Sequence, residues 1–155
     1  HIPNALVMLA PYVNSYRRLT QASAAPVNTM WGYDNRTTAF RVPRSDPAGR
    51  RVENRIPSSD ANPYLALAAS LACGLIGILR KTRCDAPTGS SVNEDEIELP
   101  RGLLEAVELF EGDSDLAGIL GQQFVSTYAA IKKAEFETFM EVISPWEREY
   151  LLLNV

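Results

Sequence analysis

Between residues 14 and 55 the sequence sets eight arginines, Arg17, Arg18, Arg36, Arg41, Arg44, Arg50, Arg51 and Arg55, against Asp34, Asp46 and Glu53, and Glu53 stands alone between Arg51 and Arg55. In an extended strand successive side chains alternate faces, so Arg51, Glu53 and Arg55 share one side while Val52 and Ile56 share the other. The segment is therefore predicted to be a strand with one ionic face and one face in a core. An ionic face of this composition suits a site that holds anionic substrates and a metal.

The whole chain is acidic, with a net charge of −4, and contains only three lysines. A basic island within an acidic chain argues for a local anion site; a nucleic-acid surface calls for a broadly basic domain, so no nucleic-acid partner is expected. Arginine also dominates where a planar, bidentate donor must meet carboxylate or phosphate. The alternative is a set of surface ion pairs, each worth about 0–1 kcal/mol.

Further along, the first third reads as strand and the rest as helix. The apolar run 2–10 reads as a helix end. Stretches 27–33 and 37–43 flank Asp34-Asn35-Arg36, turn chemistry that predicts a hairpin or close antiparallel pair, and 50–57 supplies a third strand. Asp60 or Asn62 is expected to cap a helix that starts at Pro63 and is apolar on all sides to about Lys81, hence buried nearly all round. Residues 82–100 read as a polar, acidic loop. Beyond it come a helix from Pro100 to Phe110 and a short one capped by Asp113 or Ser114. A long helix follows, striped by Phe124, Tyr128, Ile131, Phe136, Phe139 and Val142. A last one is opened by a Ser144…Glu147 capping box. The longest apolar stretch is shorter than the ~20 residues a bilayer requires, so no membrane partner is expected. Cys73, Cys84 and one histidine support neither a zinc site nor a disulfide framework, which fits a reduced, cytoplasmic compartment. The absence of an initial methionine suggests part of a longer polypeptide.

The strings NSYRRL (14–19), APVN (25–28), WGYDNR (31–36), FRVPR (40–44), RRVENRIP (50–57) and DANPYLALAASLACGLIGI (60–78) resemble the C-terminal half of the glutamine synthetase catalytic domain. LPRGLLEAV, LGQQFVSTY and SPWEREYL resemble the helical C-terminus of the same superfamily, closest to its γ-glutamylpolyamine synthetase branch. The resemblance implies an α+β fold over residues 1–155: an active-site half of antiparallel strands (1–57), then a helical region (58–155) with a loop at 82–100. It also implies a ligase in which ATP phosphorylates the side-chain carboxylate of glutamate and an amine displaces phosphate from the acyl phosphate.

Matched by position, the resemblance makes Arg18 a holder of the glutamate carboxylate and sends Arg55 to the substrate's reacting end. Arg36 binds nucleotide phosphate and assists phosphoryl transfer, Arg41 and Arg51 bind ATP, and Glu53 ligates Mg²⁺ or Mn²⁺. The remaining metal ligands are expected upstream, so the fragment alone is expected to be inactive; His1 matches no metal position. Ala24 stands where ammonia-using members carry a glutamate, which favours an organic amine or polyamine as acceptor. Trp31 and Tyr33 offer an acceptor pocket or simple strand packing. Ile97 stands where some bacterial relatives carry an adenylylated tyrosine, so that control is expected to be missing. The family also implies a homo-oligomeric ring with active sites between subunits. Two alternatives remain open: an ammonia-using glutamine synthetase, and a non-catalytic member that serves assembly.

Overall fold

The computed structural model describes residues 1–20, 25–89 and 99–152. A small mixed sheet lies beside a helical body, an α+β arrangement. Three short strands, β1 (Trp31–Tyr33), β2 (Phe40–Val42) and β3 (Glu53–Asn54), form the sheet in that order. β2 and β3 are antiparallel, with Arg41 opposite Glu53.

β1 and β2 do not form the expected hairpin: they run parallel, with Trp31 opposite Phe40 and Tyr33 opposite Val42. The turn at Asp34-Asn35-Arg36 exists, and Asp34 has the positive φ of 50° that such a turn requires. A hairpin fails because the backbone just after the turn bonds elsewhere. Thr37 O accepts from the Asn28 side chain and Ala39 N donates to it, so the chain resumes pairing only at Phe40. Gly32 is needed in β1 because a Cβ there would meet Thr88 O at 2.5 Å. Residues 83–88 pass this close through the bonds Thr88 N–Trp31 O, 2.8 Å, and Trp31 Nε1–Asp85 O, 2.8 Å.

The helices match the local signals well. α1 (Leu6–Leu9) is wholly buried. α2 (Pro63–Leu79) is capped by Asn62, not Asp60: the Asn62 side chain accepts from Tyr64 N and Leu65 N with Pro63 in the first turn. After α3 (Leu103–Gly112), Asp113 caps α4 (Ser114–Leu120). α5 (Gln122–Met140) begins after Gly121, and α6 (Pro145–Tyr150) opens with the reciprocal Ser144–Glu147 box.

α1, α3 and α5 enclose the core, with Phe110, Leu6, Met8, Leu9, Leu116 and Val125 at its centre. Phe110→Ala is expected to destabilise the fold by about 3–5 kcal/mol, because a fully buried ring leaves a cavity that rigid neighbours cannot refill. Urea unfolding followed by circular dichroism measures this, and a loss under about 1 kcal/mol would contradict the placement of this ring.

One burial expectation is corrected. α2 is not enclosed: Ala69, Ala72 and Ile76 face the core, while Leu71 and Ile78, 71% and 75% exposed, lie on an open apolar stripe with Tyr64 and Leu67. Residues this apolar open to solvent on one helix face mark a contact surface for further protein. On α5 the core side is Val125, Ala129 and Lys132, flanked by Phe124, Tyr128 and Phe136, whereas Ile131, Phe139 and Val142 are exposed. Lys132 is buried because its ammonium pairs with Glu135 at 2.8 Å and lies over the Tyr12 and Tyr128 rings. With the bond from Tyr128 Oη to Val7 O, 3.2 Å, this docks α5 beside the 3-10 turn Val13–Arg18. Among the described residues, no helix is long and apolar enough to cross a membrane.

Candidate active site

The arginines converge on one face of the sheet because β2 and β3 pair in the register that sets Arg41 opposite Glu53. Arg41 Nη1 donates to Glu53 Oε2 at 2.9 Å, and Arg51 Nη2 to Glu53 Oε1 at 3.2 Å. Arg41 Nη2 also donates to Asp34. Glu53 is thus gripped by two guanidiniums through different oxygens, as the shared face of residues 51 and 53 predicts. Ile56 is buried as expected, but Val52 is 65% exposed. It points away from the ionic face near the edge of the sheet, beyond the cover that α2 gives Asn54 through Ser70 Oγ at 3.0 Å.

Arg36 is exposed on the loop between β1 and β2. Arg55 reaches this loop from the other side, its Nη1 donating to the carbonyls of Arg36 and Thr38. Arg18 is half-buried in the 3-10 turn and donates to Ile56 O. Close by, Ser15 Oγ donates to both oxygens of Asp60, 3.0 and 3.2 Å, and Asp60 Oδ1 also accepts from Ser58.

The charges of these residues act on one another. Hydrogen bonding to Arg41 holds both Asp34 and Glu53 below the usual carboxylate range, with Arg51 adding to the effect on Glu53. Arg55 is pushed down by partial burial and then by the charges of Arg41 and Arg36, with Glu53 opposing. Arg18 is likewise pushed down by burial, and the charge of Arg55 acts in the same direction against Asp60. Cations that depress one another are relieved by a bound anion.

Because Glu53 is depressed in the folded chain, the stabilisation from its pairing is complete above the ordinary carboxylate range and is lost only as pH falls through the lower, folded value. The Glu53 carboxylate resonance should therefore titrate below the ~4.3 of a free glutamate. In Arg41→Gln that midpoint is expected to move up; an unmoved midpoint would contradict Arg41 as the main cause.

Glu53 can offer one hard oxygen ligand to a divalent cation, since each carboxylate oxygen retains a lone pair beyond its arginine bond. Octahedral ions need several such ligands, and the other carboxylate on this face, Asp34, is paired with Arg41. Among the described residues one group of three side chains could otherwise hold a metal, His1, Asp113 and Asp115. It is a satisfied network: Asp113 caps α4 and accepts from Asn4 and His1, and Asp115 pairs with Arg80. His1 joins this network through Asp113 and Asp115.

Trp31 lies opposite Phe40 and Tyr33 opposite Val42, so by strand alternation both sit on the face away from Arg41. Trp31 lines a cavity of about 660 Å³ with Met30, Phe40, Val42, Val52 and Thr88. Within this chain the sheet separates the pair from the Arg41 face. Ala24 and Ile97 lie outside the described residues. The partner of Asp34 and the role of Asn28 are not evident from the sequence. A signal existed for the first, since Asp34 is the acidic residue in the turn that leads towards Arg41.

The family model for the glutamine synthetase catalytic domain matches residues 1–151. The chain is 37% identical over 142 residues to gamma-glutamylethanolamide synthetase GlnA4 of Streptomyces coelicolor, covering 91% of this chain and 30% of that protein. It is 35% identical to gamma-glutamylputrescine synthetase PuuA of Escherichia coli, covering 99% and 33%, and 39% identical to glutamate–isopropylamine ligase of a Pseudomonas species, covering 88% and 31%. A solved GmaS/ADP complex superposes with a TM-score of 0.84 at 34% identity, over 98% of this chain and 37% of that one. The chain spans about a third of the length of these curated relatives. With the family model covering nearly the whole chain and the fold shared with GmaS, the chain belongs to the glutamine synthetase family, through the C-terminal part of its catalytic domain.

Proposed function

We propose that this chain is part of a longer ATP-dependent ligase that joins an amine to the γ-carboxylate of glutamate, with an organic amine or polyamine as acceptor. The observation that carries this reading is the cluster of Arg36, Arg41, Arg51 and Arg55 around Glu53. Its mutual charge repulsion calls for anions, and it falls in the words NR, FRVPR and RRVENRIP that mark the family.

In the proposed reaction a γ-carboxylate oxygen of glutamate attacks the terminal phosphorus of ATP and ADP leaves. The amine nitrogen then attacks the acyl carbon, expels inorganic phosphate and gives up a proton. Arg18 holds the glutamate carboxylate and Arg55 serves its reacting end. Arg41 and Arg51 bind ATP, and Arg36 stabilises charge on the transferring phosphoryl group. Mg²⁺ or Mn²⁺, when bound, would neutralise phosphate charge, with Glu53 as one ligand and the others outside these residues. Glu53 also fixes the directions of the Arg41 and Arg51 guanidiniums.

Ala24, in place of the family's glutamate, removes a carboxylate suited to ammonium, and three relatives carry ethanolamide, putrescine or isopropylamine in their names. Archaeal glutamine synthetases match at similar identity, 34–36%, so the acceptor must be decided by experiment. The free thiols of Cys73 and Cys84 and the proposed substrates support a cytoplasmic setting. The open apolar stripe of α2 supports packing against further protein, in keeping with a ring assembly.

The test is phosphate release by the full-length protein with ATP, Mg²⁺ and glutamate, comparing ammonium with putrescine, ethanolamine and isopropylamine. Stimulation by an organic amine is expected. Stimulation by ammonium alone would make the protein an ammonia-using synthetase, and silence with every acceptor would favour a non-catalytic assembly role.

A further inference from the structure

Segment 36–39 is held from two sides in an alternating pattern. Arg55 Nη1 donates to the carbonyls of Arg36 and Thr38. On the opposite side the Asn28 side chain donates through Nδ2 to Thr37 O at 3.0 Å and accepts through Oδ1 from Ala39 N at 3.4 Å and Met30 N at 3.0 Å. Two side chains thus grip alternate backbone groups of this turn at once, Arg55 the carbonyls of residues 36 and 38 and Asn28 the carbonyl of 37 and the N–H of 39. Asn28 is 1% exposed, and its amide orientation is dictated by its partners, two N–H groups at the oxygen and one carbonyl at the nitrogen. Thr38 Oγ1 closes the loop by bonding to Asn35 O and Phe40 O, and Asn35 Oδ1 accepts from Thr37 N. The backbone that carries Arg36 is therefore rigid although its side chain is exposed.

We propose that Asn28 is a positioning residue for Arg36: its buried amide holds segment 37–39 so that the Arg36 guanidinium is presented at a fixed point on the ionic face. This rests on the reading of Arg36 as the phosphoryl-transfer arginine. Electrostatic stabilisation of a transition state depends on donors already in place, so loosening the loop lowers turnover more than it weakens substrate binding. An aspartate at this position would keep the acceptor but face Thr37 O with a second oxygen. A serine can still accept from Met30 N two residues on, but is too short to grip Thr37 and Ala39.

The experiment uses the full-length protein with Asn28→Ala and Asn28→Ser, each alone and combined with Arg36→Ala, with ATP, Mg²⁺, glutamate and the best acceptor. Asn28→Ser is the informative variant, because it keeps the local turn if Asn28→Ala fails to fold. Its kcat is expected to fall about tenfold, with the KM for glutamate within about twofold of the parent. In the Arg36→Ala background the same change should have no further effect on kcat, because nothing remains to be positioned. Unchanged kcat in Asn28→Ser, or an equal fold-loss in both backgrounds, would overturn the inference. Unchanged turnover in Arg36→Ala alone would instead withdraw the role of Arg36, and this inference with it.

Discussion

Arg36→Ala in the full-length protein is expected to lower turnover by about 10²–10³-fold while shifting the thermal midpoint by less than about 2 °C. The separation of the two effects follows from where the residue sits. Its side chain is exposed on the β1–β2 loop, and the loop's internal bonds run through its backbone carbonyl and its neighbours rather than through the guanidinium. Truncation therefore leaves the loop standing. What is removed is a cation that acts on Arg55, and in the proposed reaction one that would face the negative charge spread over the phosphoryl oxygens. Steady-state kinetics with scanning calorimetry on the same preparation measures both quantities. A parallel loss of stability would mark Arg36 as structural.

Glu53→Gln is expected to cost about 10²-fold in turnover and to raise the Mg²⁺ concentration needed for half-maximal activity. The substitution keeps shape and one acceptor oxygen but removes the charge that Arg41 and Arg51 share and that the proposed metal ion would also use. Without it the two guanidiniums lose their common anchor and repel, and a hard divalent ion loses an anionic ligand. A magnesium titration of initial rate separates the two contributions. If excess Mg²⁺ restored full turnover, Glu53 would act only through the metal. If the half-saturating concentration did not move, it would act only as the brace for Arg41 and Arg51, and the metal assignment would fall.

What the sequence revealed divides along a physical line between local and distant bonding. Helix starts were legible because a cap is a bond between residues two or three apart: Asn62 before Pro63, Asp113 before α4, Ser144 with Glu147. The ionic face around Glu53 was legible because strand alternation is also local. The parallel register of β1 and β2 was not, because it depends on Asn28 bonding residues 9 and 11 positions away. The exposure of Val52 and of the Leu71–Ile78 side of α2 was missed for a related reason. Apolar composition tells what a residue needs but not whether this chain alone supplies the cover. Asp34 was counted as charge without a partner, since its bond to Arg41 depends on how the loop folds back. Placing Trp31 behind the sheet required the same knowledge of register.

The account stands or falls on the acyl phosphate. Glutamate labelled with ¹⁸O in its γ-carboxylate, incubated with the full-length protein, ATP, Mg²⁺ and an amine acceptor, tests it directly. The account predicts that the released inorganic phosphate carries one labelled oxygen, handed over as the amine displaces phosphate from the acyl carbon. Phosphate released without label, at a rate that depends on glutamate and amine, would mean that the carboxylate is never phosphorylated and would contradict the ligase mechanism.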